Sequence, residues 1–335
     1  PSCWQLQGYE HPNYSNINYP FPCDQPYVPD ENPCGVYERD FTLEHLWGRV
    51  YFVLEGVSSC AFVSVNGTSV GFTQGSRLQA EFDLTPYVCE GHNTLRVKVL
   101  KWCCGSYLED QDAFRYSGIF RDCYLLQRPE GHITDVDVRT DGNRIMVRTD
   151  RAADVSAYDP SGRLLGSVQK TQNAEIMIDT PVFWNAEQPY LYTVKLERNG
   201  EIITQKTGLR TIAVSEKREL LINGVPVKLH GVNHHDTDPH TGWCQTAAQY
   251  RRDLELMKQL HINCVRTSHY PPSPEFLALC DELGFYVILE TDIETHGFLR
   301  RYGNVPYQFD TESTDWPCAD PKWRGEFMAR MQRAV

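Results

Sequence analysis

Apolar and polar residues alternate in short runs from Pro1 to about Arg128. GRVYFVLEGV, CAFVSVNGTSVGF and TLRVKVLKW each repeat with the two-residue period of a half-buried β-strand. Turn signals separate them, among them Asn66-Gly67 and Gly91-His92-Asn93. A long polar loop, YSNINYPFPCDQPYVPDENPCG, holds much of the chain's proline. Residues 1–128 are therefore expected to form a jelly-roll β-sandwich with elaborated loops. Pro129-Glu130-Gly131 interrupts the pattern, and a second alternating stretch runs to about Val214. Its segments DVDVRT, RIMVRT, DVSAYD, LLGSV, AEIMID, LYTVKLE and IITQKTGLRTIAV read as about seven short strands. They suit an immunoglobulin-like β-sandwich over residues 129–214, without the cysteine pair of antibody domains. No chemistry is legible in that stretch, and a spacer role is expected.

After Ser215 the rhythm changes. VKLHGVNHH reads as a buried strand, and TAAQYRRDLELMKQLH as an amphipathic helix with Leu254, Met257 and Leu260 on its apolar face. INCVRTSH is a strand, SPEFLALCDELG a helix with a serine N-cap and a terminal glycine, and YVILETDIE a third strand. DPKWRGEFMARMQRAV is a further helix. Alternation of this length implies right-handed βαβ units on a parallel sheet. Residues 215–335 thus read as the N-terminal part of a (β/α)8 TIM barrel, with about three of the eight strands. The expected fold class is multidomain β plus α/β.

The three strand ends carry the candidate chemistry, as the carboxyl ends of barrel strands do. If the third strand ran on, Glu290, Asp292, Glu294 and His296 would share one face. Glu294 and His296 could converge on a hard divalent cation such as Mg²⁺, or form a metal-free hydrogen-bonded pair; spacing leaves both open. At the second strand end stand Arg266, Ser268 and His269, where Pro271-Pro272 forces the chain out of the sheet. Arg266 is expected to pair with a carboxylate of the next strand. The first strand end has Asn233, His234, His235, Asp236 and, further on, His240. Adjacent strand residues point oppositely, so at most one of His234 and His235 faces the site. In the first domain Glu109, Asp110 and Asp112 sit among aromatics, either as a sugar-binding cluster or as a solvated acidic loop.

Composition narrows the classes. The formal net charge is −12, with acidic residues spread along the chain, which disfavours nucleic acid or an anionic membrane as partner. No run approaches the ~20 apolar residues of a membrane span. Aromatic content is rich at 12%. The 12 cysteines are scattered, include no CxxC pair, and are expected to be reduced thiols packed as small apolar residues. Pro1 in place of Met points to a cut N-terminus.

Several long segments carry a resemblance, in order along the chain: WQLQGYE, YSNINYPFP, VPDENPCGVYERDF, VNGTSVGFTQGSRLQAEFDLT, YLEDQDAFRYSGIFRD, WNAEQPYLYTV, LINGVPVKLHGVNHHD, RTSHYP, CDELGFYV and ETDIETHG. Together they resemble glycoside hydrolase family 2, in its bacterial β-galactosidase branch. The resemblance implies a sugar-binding jelly roll, an immunoglobulin-like domain and a TIM barrel. It also implies that Glu294 and His296 are ligands of an active-site Mg²⁺ and that His235 and His269 contact the galactosyl group in the transition state. By the same resemblance Asp112 binds a galactose hydroxyl and a Na⁺ ion, and Asn16 reaches into the site from the first domain. Cys103-Cys104, Phe114 and Leu289 depart from the family pattern, which usually has Ser-Asp, Trp and Asp there.

The implied activity is hydrolysis of terminal β-D-galactosides with retention, by a cytoplasmic homo-oligomer. The family's acid/base and nucleophile, both glutamates on later barrel strands, are expected beyond Val335, so the 335 residues alone should bind without turnover. The alternative is a non-catalytic carbohydrate-binding or complementation fragment. A metal-dependent amidohydrolase is disfavoured, because its two histidines are spaced one apart and His234 and His235 are adjacent.

Overall fold

The computed structural model describes residues 2–16, 18–298 and 316–334. Two facing antiparallel sheets form the first domain. One has the order Cys34–Leu43, Gly91–Leu100, Cys60–Val65, Thr68–Gln74; the other has Cys123–Arg128, Arg49–Leu54, Ala80–Asp83. The alternation read from sequence decides which way side chains point. Ala61, Val63 and Val65 turn into the core, buried with Val50, Phe52, Val97 and Val99, while Phe62 faces out against Phe72. Each buried aliphatic contributes about 1.5–3 kcal/mol relative to exposure. Asn66 (φ 51°) and Gly67 (φ 80°) make the left-handed hairpin turn that their sequence announces.

The second domain differs from the seven short strands expected. RIMVRT and DVSAYD belong to one long strand, Arg144–Tyr158, and LLGSV and AEIMID to another, Leu164–Met177. Their pairing shifts register between Arg148 and Ala153, so the extra residues are taken up by a bulge rather than a turn. Arg144–Tyr158 pairs with Val136–Asp141 along its first half and with Tyr192–Arg198 along its second. The core of Ile145, Val147, Val155, Ala157, Val194 and Leu196 fills the bend. Glu201–Thr207 and Ile212–Val214 are separate strands; the latter pairs with Leu220–Ile222.

In the third domain Gly231–Asn233, Cys264–Arg266 and Tyr286–Ile288 form a parallel sheet in sequence order. The crossovers are α1 (Ala247–Gln259), capped by Thr246 with Gln249, and α2 (Pro274–Leu283), capped by Ser273 and closed by Gly284. Tyr250 and Leu254 of α1 and Phe276 and Leu279 of α2 pack on Val265 and Phe285. Leu260 departs from expectation: it lies at the helix end, 64% exposed. The first strand is not buried, since among the described residues it has a sheet neighbour on one side only. α3 (Arg324–Ala334) leans on the first domain, with the Arg333 guanidinium donating to the carbonyls of Gln74, Leu78 and Gln79. No helix among the described residues is long and apolar enough to cross a membrane.

Candidate active site

Register sets the site's level. Asn233, Arg266 and Ile288 are paired across the parallel sheet, so the residues that follow each of them leave the sheet together. His234 and His235 diverge there. His234 stacks on Phe276, ring centroids 4.7 Å apart, beside Asp236. His235 turns the other way and meets His269 edge-on, with centroids 5.4 Å apart. His235 Nδ1 is buried without a hydrogen-bond partner, and burial lowers the pKa of both His234 and His235.

His269 is aimed by its neighbours. Its Nδ1 lies 3.2 Å from Glu290 Oε2, and Arg266 Nε donates to Glu290 Oε1 at 2.5 Å. Arg266 also donates to Asn233 Oδ1 at 3.2 Å, tying together all three strand ends. Arg266 Nη2 lies 3.3 Å from the same nitrogen, so Nδ1 is engaged by both neighbours and Nε2 of His269 is the nitrogen left for a ligand.

The third strand stops at Ile288, and the one-face arrangement of Glu290, Asp292, Glu294 and His296 does not form. Asp292 turns into the boundary with the first domain, fully buried. Arg77 Nη1 donates to its Oδ1 at 3.4 Å, Gln111 Nε2 to the same oxygen at 2.9 Å, and Arg330 lies 3.3 Å from Oδ2. Glu294 and Gly297 bond instead to the first domain. Glu294 N–H donates to Leu108 O at 2.7 Å, Asp110 N–H to Glu294 O at 3.1 Å, and Gly297 N–H to Asp110 Oδ2 at 2.5 Å. Arg115 grips the other Asp110 oxygen. Burial pushes the Asp110 carboxyl up to about 7, against the opposing pull of Arg115.

Glu109 and Asp110 are thus buried structural acids, not a solvated loop; only Asp112 of the three is exposed. Tyr14 Oη donates to Asp112 Oδ1 at 2.6 Å. Ser15 pairs with Ala113 in antiparallel register, so the next step along both strands sets Asn16 opposite Asp112. Phe114, half exposed, lies 5.4 Å from the Tyr14 ring.

Glu294 Oε1 and His296 Nδ1 are 2.8 Å apart. Burial raises Glu294, and the charges that act on it are those of His269, Glu290, Asp112 and Arg266. The structure therefore brings Asp112, His235, His269 and Glu294 within electrostatic reach of one another, with His296 paired to Glu294. His240 stands outside this group, in solvent beside Asp238. Among the described residues no group of three or more His, Cys, Asp or Glu is arranged to hold a metal ion. Glu294 and His296 offer two donors, an oxygen and a nitrogen, which suit Mg²⁺ as part of a larger ligand set.

All three regions match models of one family in the family's own order. The sugar binding domain of glycosyl hydrolases family 2 matches residues 1–129, a second family 2 model residues 132–210, and the family 2 TIM barrel domain residues 212–335. The chain belongs to glycosyl hydrolases family 2. A β-galactosidase of Actinobacillus pleuropneumoniae is 44% identical over 308 residues, 89% of this chain and 30% of that protein. A β-galactosidase of Staphylococcus xylosus is 41% identical over 348 residues, 100% of this chain and 34% of that protein. The chain spans about a third of the length of these curated relatives. Among solved structures, a β-glucuronidase of an uncultured Clostridium sp. superposes with TM-score 0.69 at 28% identity, over 77% of this chain and 49% of that one. A Ruminococcus gnavus β-glucuronidase gives 0.67 at 24%, over 76% and 49%, and shows the fold alone.

Sequence reasoning missed Arg115 and Arg77 as builders of this family 2 site, and named Asp110 only as part of a sugar-binding cluster or a solvated loop. Arg77 is sandwiched between the Trp243 and Tyr270 rings, 4.2 and 3.6 Å from their centroids, and joins the first domain to the barrel loops. A charge pattern offered one hint: Asp110 and Arg115 flank the candidate Asp112 on a loop rich in aromatics. Arg115 bonds locally to Asp110 and to the Glu109 carbonyl, but the Gly297 amide that completes Asp110 lies 187 positions away.

Proposed function

We propose that this chain is the sugar-binding part of a retaining β-galactosidase acting on terminal β-D-galactosides. The observation that supports the reading is the edge-on contact of His235 with His269, with Asp112 near enough to act electrostatically on His235 and on Glu294, which pairs with His296. Identities of 44% and 41% to β-galactosidases, against 28% to a β-glucuronidase, favour galactose over a uronic acid.

In this reading the galactosyl ring rests against the exposed edges of the two touching imidazoles. His269 Nε2, directed by Glu290, and the neutral His235 exchange hydrogen bonds with sugar hydroxyls. Asp112 accepts one more hydroxyl, with its carboxylate held by Tyr14, and is the residue that would hold Na⁺. Asn16 supplies an amide at the rim. Glu294 and His296 would hold Mg²⁺, whose charge stabilises negative charge nearby when bound. Retention requires two carboxylates about 5–5.5 Å apart, one attacking and one protonating. Glu290 is engaged by Arg266 and His269, Glu294 by His296 and Asp292 by Arg77, so none of these is free for either role. Binding without turnover is the expected property of these residues by themselves.

Calorimetry with galactose tests the reading. The chain should bind galactose in preference to glucuronate, and His235→Ala should weaken binding roughly tenfold, about the ~1–1.5 kcal/mol of one net hydrogen bond. Tighter binding of glucuronate, or galactose affinity indifferent to His235, would overturn the substrate. Hydrolysis of a nitrophenyl β-galactoside by the purified chain would refute the absence of turnover.

A further inference from the structure

Cys3 and Cys244 face each other across the boundary between the first and third domains. Their Sγ atoms are 3.7 Å apart although 241 positions separate them in sequence. Both are fixed in place. The amides flanking Cys3 pin its segment: Ser2 N–H donates to Ile119 O and Trp4 N–H to Ser117 O, each at 2.9 Å. Cys244 N–H donates to Thr241 O at 3.1 Å, and the same loop packs its Trp243 ring on Tyr116 and Phe120, 5.5 and 5.1 Å between centroids. At Gly242 the loop approaches so closely that a Cβ would sit 3.4 Å from Cys3 Sγ.

We propose that Cys3 and Cys244 form a reversible disulfide, made by exchange with a low-molecular-weight disulfide, that locks the loop following His235 to the first domain. The chemistry does not depend on the galactoside reading. Cys3 is 1% exposed whereas Cys244 is partly open to solvent, so a solute reaches Cys244 first. The hydrogen bond from the Cys3 thiol pulls the Cys244 thiol below its ordinary range, and the same bond together with burial holds Cys3 above it. Cys244 thiolate attacks the small disulfide RSSR, forming Cys244–S–SR and releasing RS⁻. Cys3, losing its proton, attacks Cys244 Sγ and expels the second RS⁻. Two electrons pass to the oxidant, and the two thiol protons end on two RSH. The sulfurs must close by about 1.7 Å to reach the ~2.05 Å of a disulfide. A second thiol–thiol contact among the described residues, Cys60 with Cys103, is buried inside the first domain at 1% and 9% exposure.

The test treats the native chain with oxidised glutathione, alkylates the remaining thiols on denaturation and maps peptides by mass spectrometry. Expected are a Cys3–Cys244 linked peptide, a mass lower by two hydrogens, reversal by dithiothreitol, and a higher unfolding temperature than the reduced chain. Cys244→Ser should give no link, and Cys3→Ser should leave glutathione attached to Cys244. Alkylation of both residues after treatment overturns the proposal, as does a wild-type reaction that stops at the mixed disulfide. A link that leaves the unfolding temperature unchanged refutes the locking role. The wild-type peptide map decides the matter even if a variant fails to fold.

Discussion

His234 and His235 are neighbours in sequence with opposite surroundings, and alternation along a strand is what separates them. One ring lies on Phe276 and the other against His269. Burial lowers both below the ordinary imidazole value of 6.5, so the folded chain favours their neutral forms. A depressed histidine contributes stability that is present above about pH 6.5 and is lost as pH falls through the lower folded values. Taken by themselves the two histidines make the unfolding temperature drop between pH 7 and pH 5, while Asp110, raised to about 7, pulls it the other way. In His234→Gln the drop should be shallower, as thermal melts across that range would show; an unchanged slope rules His234 out as a source. His235, His269, Glu294 and His296 could be picked out as candidates because chemistry concentrated at strand ends is visible in a string of letters. Asp110 was misjudged, because nothing local distinguishes it from the exposed Asp112. Its burial depends on Arg115 and on the amide of Gly297, which arrives from another domain.

The helices were the most legible elements, since their ends are marked by residues acting locally. Ser273 caps α2, accepting from Glu275 N–H at 3.3 Å, and Gly284 closes it at φ 81°. Gly284 also meets something no local signal reveals: a Cβ there would run into the Ala186 carbonyl of the second domain. Lys258 from α1 donates to that same carbonyl at 2.7 Å and to Gly284 O at 2.8 Å, closing the junction. Gly67 offers a control, with φ 80° and nothing within 4 Å of its would-be Cβ. Gly67→Ala should cost only the left-handed backbone strain, about 1 kcal/mol, whereas Gly284→Ala should cost distinctly more. Urea denaturation of the two variants compares them; equal losses would mean that the junction yields freely. The third strand shows the opposite case. Its apolar run predicts its start, but its end at Ile288 follows from the first domain taking over the hydrogen bonds of Glu294.

Fold class and domain order were readable because alternation gives way to βαβ rhythm at one place along the chain. The joint between domains was not, being made of charges distant in sequence. Asp292 and Glu109 face Arg77 and Arg330 in a cluster where each side chain is at most 8% exposed. Two acids balance two bases, and Ser76 and Gln111 satisfy further lone pairs. Removing one member strands a buried charge, so Asp292→Ala should destabilise the chain by about 3–5 kcal/mol. Chemical denaturation measures this, and a loss below ~1 kcal/mol would show that water enters the joint.

The bond from Gly297 N–H to Asp110 Oδ2 spans 187 positions of chain. At ~5–20 residues per second of synthesis, Asp110 leaves the ribosome roughly ten to forty seconds before its partner exists. Throughout that interval the first domain can be folded yet still has an edge at Leu108–Asp110 waiting for a strand. The site is therefore completed late in the making of the protein, and a nascent chain interrupted before Gly297 carries a sticky edge that a chaperone, or a second nascent chain, is positioned to cover.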